Sequence, residues 1–170
     1  MRSLRGVVAG GLVLLALVLQ VAVFPHLAWE GIVPNLCLLV VVGAALVRGP
    51  AFAATLGFVA GLLLDLAPPA DHVAGRWALA LVVVGYLAGR VRHDAGTSAV
   101  AAVVTVACCS FVGTSIYALT GMLLHDSSAP VGEALKVIPL AVLYDVLVTP
   151  FVLPVLMRLF RRMQPHQVAY

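Results

Sequence analysis

The chain has 170 residues, of which 63% are hydrophobic and only 10% are charged. A soluble domain carries about 25% charged residues, so this composition excludes a protein that is solvated mainly by water. The formal net charge is +3, but the arginines are scattered between apolar runs rather than clustered on a polar face. This pattern argues against a nucleic-acid partner. We expect a polytopic membrane protein.

Six apolar stretches are candidates for membrane helices, because a spanning helix needs about 17 to 25 mainly apolar residues. The first stretch is not followed closely by an A-x-A-type cleavage site, so we interpret it as a retained span rather than a signal peptide. The second, third and fourth are short, and such lengths fit short spans, helices that extend past the apolar run, or a re-entrant pair formed by the second and third. The predicted spans cover residues 6–24, 34–48, 51–66, 76–89, 97–124 and 136–158.

The basic residues predict the orientation, because short cytoplasmic loops collect Lys and Arg. With six spans and the N-terminus inside, the outer side carries only Arg76 and Lys136. The cytoplasmic side then carries Arg2, Arg5, Arg48, Arg90, Arg92, Arg158, Arg161 and Arg162. We therefore expect both termini in the cytoplasm, short loops, and a single transmembrane domain over residues 1–170.

Two glycine stripes, Gly57/Gly61 in the third helix and Gly85/Gly89 in the fourth, have the four-residue spacing that places small residues on one helix face. Small residues at this spacing let another helix backbone approach closely in a membrane. We expect at least one stripe to hold a partner helix. If neither does, the first or sixth helix is the expected partner face.

Asp65 ends the third helix on the same face as its glycine stripe. Charged residues at membrane depth usually pair, and Arg76 starts the next helix at similar depth. We therefore predict an Asp65–Arg76 pair across the hairpin. The alternative is that Asp65 contacts a partner or a ligand.

Asp145 lies deeper, in the middle of the last apolar stretch, where a charge costs about 2.5 to 3.5 kcal/mol by insertion scales. It should point into the bundle, either protonated or hydrogen-bonded. One face of the preceding helix carries Ser110, Thr114, Tyr117 and Gly121. We predict that Ser110 or Thr114 bonds Asp145 and latches the two helices together. The alternative is a proton or ion site.

Catalytic and metal-binding patterns are not found in the sequence. The five histidines, His26, His72, His93, His125 and His166, fall in predicted loops or the tail without close ligand spacing. No G-x-S-x-G, H-E-x-x-H or Walker-type sequence occurs. Three cysteines, two of them adjacent in an apolar run, do not form a disulfide framework. We predict no enzymatic activity, no metal and no cofactor.

Several motifs between Val33 and Gly89 follow a recognisable order. They are Pro-Asn-Leu at the start of the second helix, Gly-Phe-x-x-Gly-Leu-Leu-x-Asp in the third, and Gly-Tyr-Leu-x-Gly at the end of the fourth. A late Tyr144-Asp145 precedes two prolines. With the chain length and six-span layout, this order resembles the MreD family of bacterial rod shape-determining membrane proteins.

The resemblance implies a non-catalytic inner-membrane scaffold of the cell-elongation complex. Its implied partners are the single-pass protein MreC, the actin-like MreB, a polymerising glycosyltransferase, a penicillin-binding transpeptidase and the lipid bilayer. It also implies an all-α helix bundle resembling the substrate-binding subunits of energy-coupling-factor vitamin transporters. That likeness raises the alternative function, a subunit that captures a small molecule for transport.

Overall fold

A computed structural model of the chain describes residues 2–27, 32–68, 73–95, 98–124 and 131–163. The secondary-structure elements in these ranges are helical, which confirms the predicted all-α class. Six main helices and one short helical turn, α5, follow one another along the chain. They are α1 (Arg2–Val18), α2 (Leu36–Arg48), α3 (Pro50–Leu66), α4 (Arg76–Arg90), α5 (Arg92–Ala95), α6 (Ala99–Leu123) and α7 (Val131–Arg162).

Helix α1 does not end at Val18 but changes its winding. It continues as a π-helical turn, Leu19–Val23, and then as a 3-10 turn, Phe24–Leu27. Counted through these turns, three helices in the described ranges are long and apolar enough to cross a membrane. They cover Gly6–His26, Ala99–Leu123 and Ala134–Arg162.

The other three main helices lie at or below the lower limit of about 17 residues for a span. Helices α2, α3 and α4 have 13, 17 and 15 residues, and at 1.5 Å per residue α2 is only about 20 Å long. The hydrocarbon core of a bilayer is about 30 Å thick. A helix this short either lies within one part of the membrane or is enclosed by other helices.

Helix α2 is enclosed, and it forms the centre of the bundle. All its residues from Leu36 to Leu46 are buried. It packs against α1, α3, α4, α6 and α7. The chain then reverses at Gly49, whose φ of +88° favours glycine, and Pro50 begins α3. The continuous apolar sequence of α2 thus follows from its position, because every face of it meets another helix.

A helix that begins inside the bundle creates a local problem. Its first N–H groups have no intrahelical partner, and neither lipid nor bulk water can satisfy them there. Both α2 and α4 begin beside residues that are almost fully buried, Asn35 at 6% exposure and Arg76 at 2%. The buried side chains of Asp65, Ser110 and Asp145 also lie at these two helix starts.

Candidate functional site

The hairpin of α3 and α4 is packed backbone against backbone. A methyl group added at Gly57 would overlap the main-chain carbonyl of Leu81 on α4. One added at Gly61 would overlap the main chain of Ala78. The α3 glycine stripe therefore faces α4 along two helical turns.

The α4 stripe faces α3 in the same way. A methyl group at Gly85 would lie 2.5 Å from the carbonyl oxygen of Ala53, and one at Gly89 would overlap the backbone of Pro50. The two stripes thus form the two sides of a single interface. The expectation that one stripe holds a partner helix is wrong, because each fills the groove of the other and leaves no room for a third helix.

Asp65 caps the start of α4 from the end of α3. Its Oδ2 accepts hydrogen bonds from the N–H groups of Gly75 at 2.8 Å and Ala78 at 3.1 Å, and its Oδ1 accepts one from Trp77 at 3.1 Å. The residue is 1% exposed. A carboxylate at a helix N-terminus satisfies orphan donors and interacts favourably with the helix dipole. The residue preceding α4 is Gly75, which cannot supply a capping side chain of its own.

Arg76, the first residue of α4, reaches across to α6. Its Nε and Nη2 donate to the carbonyl oxygen of Tyr117 at 3.2 and 2.9 Å, and its guanidinium lies 3.9 Å from the centre of the Tyr117 ring. The ring of Trp77 stacks on Tyr117 with centroids 4.5 Å apart. Gly121, one turn further along α6, leaves room for the guanidinium, since a methyl group there would overlap Arg76 Nη2. The Asp65–Arg76 pair stays a prediction.

Asp145 belongs to α7, and its fully buried side chain reaches the start of α2. Its Oδ1 accepts from the Asn35 N–H at 2.6 Å, and its Oδ2 accepts from the Ser110 hydroxyl at 2.6 Å. Thr149, one turn further along α7, donates to the Asp145 carbonyl oxygen at 2.6 Å. Thr114 donates instead to the carbonyl of Ser110 at 2.7 Å, within its own helix. Of the two candidates on α6, the structure places Ser110 on the carboxylate.

The next backbone N–H groups at the start of α2 have partners as well, whereas the buried Asn35 Nδ2 has none among the described residues. The Asn35 Oδ1 accepts from the Leu38 N–H at 2.9 Å, which is a normal N-cap bond. The Cys37 N–H donates to Gln20 Oε1 at 3.3 Å. Gln20 lies in the π-helical turn of α1, and such turns are frequent at functional sites. We call the set Gln20, Asn35, Ser110 and Asp145 the α2 cap.

Sequence reasoning missed two members of the α2 cap. Gln20 was visible as an amide in an otherwise apolar first span, and Asn35 as an N-cap residue before an apolar helix. The residue types did not indicate that Asp145, on α7, completes the cap by accepting a hydrogen bond from the Asn35 N–H. The α2 cap joins α1, α2, α6 and α7, whereas Asp65 and Arg76 join α3, α4 and α6.

Asp65 and Asp145 therefore share one role, as acceptors for backbone N–H groups where a helix begins inside the bundle. Among the described residues, no three His, Cys, Asp or Glu side chains are arranged to hold a metal ion. His72, His125 and His166 lie outside the described ranges. The arrangement is suited to holding helices in a fixed register.

Comparison with known proteins identifies the family. No curated protein and no solved structure matches the chain. The family model described as rod shape-determining protein MreD matches residues 1–163. This range includes both helix caps and the α3–α4 hairpin. Together with three helices able to cross a bilayer, the match shows that this chain is a membrane protein of the MreD family, with a role in determining rod shape.

Proposed function

We propose that this chain is a non-catalytic, multi-pass scaffold of the bacterial plasma membrane. It binds an MreC-type single-pass protein and positions the peptidoglycan-synthesising enzymes of the elongation complex. Both termini lie in the cytoplasm. The observation that carries the proposal is the match of residues 1–163 to the rod shape-determining family.

The polar interior of the bundle supports a scaffold. The buried acids Asp65 and Asp145 accept hydrogen bonds from helix starts, and Ser110 donates to Asp145. A rigid bundle of this kind presents the same outer faces at all times. Positioning other membrane proteins requires such fixed faces.

The partner face, in this proposal, is helix α1. Only 17% of its most apolar window is buried, against 33% for α6 and 28% for α7. Gly6 and Gly10 have the four-residue spacing of a close-packing helix pair. Among the residues that the structure describes, nothing lies within 4 Å of a methyl group placed at Gly6, Gly10 or Gly11. These glycines leave an open groove, unlike the glycines of α3 and α4.

The alternative is a vitamin-capturing transporter subunit, and the family match does not support it. A scaffold of the elongation complex and a transporter subunit would assemble with different proteins. Tagged protein purified in a mild detergent should retain an MreC-type protein and cell-wall synthases, identified by mass spectrometry. Recovery of a coupling transmembrane subunit with ATPases, and of no cell-wall protein, would replace the scaffold with the transporter.

A further inference from the structure

A cavity of about 350 Å³ lies between the first half of α6 and the last half of α7. It belongs to neither helix cap and is open to the outer surface of the bundle, where Pro150 and Pro154 are exposed. Small side chains on α6, among them Ala99 and Ala102, face the cavity across from α7. The two prolines, one turn apart, remove two N–H donors from α7, so that the carbonyls of Val146 and Pro150 lose their usual intrahelical donors.

The cavity has a polar end and an apolar interior. Arg158, Arg161 and Ser98 line one end, and apolar side chains such as Leu153 line the walls toward Thr149. From Arg161 to Thr149, α7 rises about 18 Å at 1.5 Å per residue. That length is close to the roughly 15 Å of hydrocarbon in one leaflet. The cavity therefore matches an amphiphile that is charged at one end.

The polar end is positively charged and has unused donors. The guanidinium groups of Arg158 and Arg161 form no hydrogen bond or ion pair with another residue in the part of the chain that the structure describes. No acidic side chain appears among the described residues that line the cavity. Helix α6 begins at the same end, and Ser98 forms no side-chain cap bond to it. An anion is the complementary ligand for such an end.

We propose that this cavity binds an anionic phospholipid. Its phosphate lies between Arg158 and Arg161, near the first turn of α6, and one acyl chain follows the apolar walls toward Thr149. The basic end of α7 is cytoplasmic in the proposed topology, and the cytoplasmic leaflet is where anionic lipids are concentrated. The site lies on α6 and α7 and does not involve the proposed partner face on α1.

The test uses the purified full chain in a neutral detergent, titrated with phosphatidylglycerol or phosphatidylcholine, with bound lipid counted by native mass spectrometry. An arginine near a membrane surface strengthens anionic-lipid binding about fivefold. We expect wild-type protein to prefer phosphatidylglycerol about 25-fold. The double variant Arg158→Gln/Arg161→Gln should lose this preference. Ala102→Leu should weaken the binding of both lipids, because the larger side chain fills the apolar part of the cavity without a change of charge.

Arg162→Gln is the matched control, because Arg162 is exposed at the same helix end but does not line the cavity. It should keep most of the preference, whereas Arg158→Gln alone should lose about fivefold. If Arg158→Gln and Arg162→Gln lost the preference for phosphatidylglycerol equally, the proposed site would be overturned, because the attraction would then come from the whole basic end of α7. Displacement of the lipid by an equal concentration of inorganic phosphate would overturn the lipid assignment.

Discussion

The Asn35 N–H at the start of α2 donates to Asp145 Oδ1 on α7 at 2.6 Å, across 110 positions of sequence. Ser110 donates to the other carboxylate oxygen at the same distance. One carboxylate thus ties the central helix to both long helices of the second half. Removing its oxygens would leave two buried donors without acceptors.

Asp145→Asn should change the stability of the protein very little. The new amide keeps an oxygen for the Asn35 N–H, and its NH₂ can donate to Ser110 Oγ once that hydroxyl rotates. Hydrogen bonds in membranes average about 0.6 kcal/mol, so the expected loss is below about 1 kcal/mol. Asp145→Leu leaves both donors unpaired, at about 1 to 3 kcal/mol each. Thermal unfolding in detergent measures the contrast.

The same pair of variants tests whether Asp145 carries protons. Liposomes containing wild-type protein should show no proton flux beyond that of empty liposomes. A flux present in wild type and absent in Asp145→Asn would make Asp145 a transport residue rather than a structural acceptor.

Asp65→Asn should be much more damaging than Asp145→Asn. The N–H groups of Gly75, Trp77 and Ala78 all point at the Asp65 carboxylate. An amide NH₂ would face N–H donors there, and backbone donors cannot rotate to accept. We expect a loss of at least about 1 kcal/mol per displaced N–H group. Similar melting temperatures for the two Asn variants would contradict the capping role of Asp65.

The predicted Asp65–Arg76 pair is tested by a double-mutant cycle. Arg76→Gln should lower the folded yield, and its combination with Asp65→Asn should cost less than the sum of the two single losses, because no uncompensated charge is left buried. Purely additive losses would rule out the pair while leaving the cap unaffected.

Alanine at Gly57 or Gly85 should destabilise the protein, since the added methyl would press on main-chain atoms of Leu81 or Ala53. Backbone cannot move aside as a flexible side chain can, and overpacking typically costs about 1 to 3 kcal/mol. Gly11→Ala is the control, because no atom of the described part of the chain lies within 4 Å of its methyl position. Equal melting temperatures for Gly57→Ala and Gly11→Ala would place the α3 stripe outside the interface.

Gly121→Ala should displace the Arg76 guanidinium from the Tyr117 carbonyl. The loss of stability arises from the displaced Arg76 side chain, so Gly121→Ala should cost less when Arg76 is already replaced by Gln. Melting temperatures of the two single variants and the double variant measure this coupling. Full additivity would show that Gly121 serves a contact other than Arg76.

The helical class could be predicted from the apolar runs. Ser110 could be predicted as a partner of Asp145, because periodicity assigns residues to helix faces. Periodicity does not specify which helices meet. Both glycine stripes had the correct spacing for close packing, but only the tertiary arrangement shows that they face each other. The Asp145–Asn35 bond depends on α2 starting inside the bundle, and a helix's depth is set by its neighbours.

The central claim is that α1 holds an MreC-type partner, and the most direct measurement is the molar ratio of that partner recovered with tagged, monodisperse protein. Wild type should retain it near one to one. Gly6→Leu/Gly10→Leu fills the open groove and should lower recovery at least about tenfold, a loss of roughly 1.4 kcal/mol. Gly132→Leu, at another glycine whose methyl position has no described atom within 4 Å, should match wild type. Unchanged recovery with the α1 variant would contradict the claim.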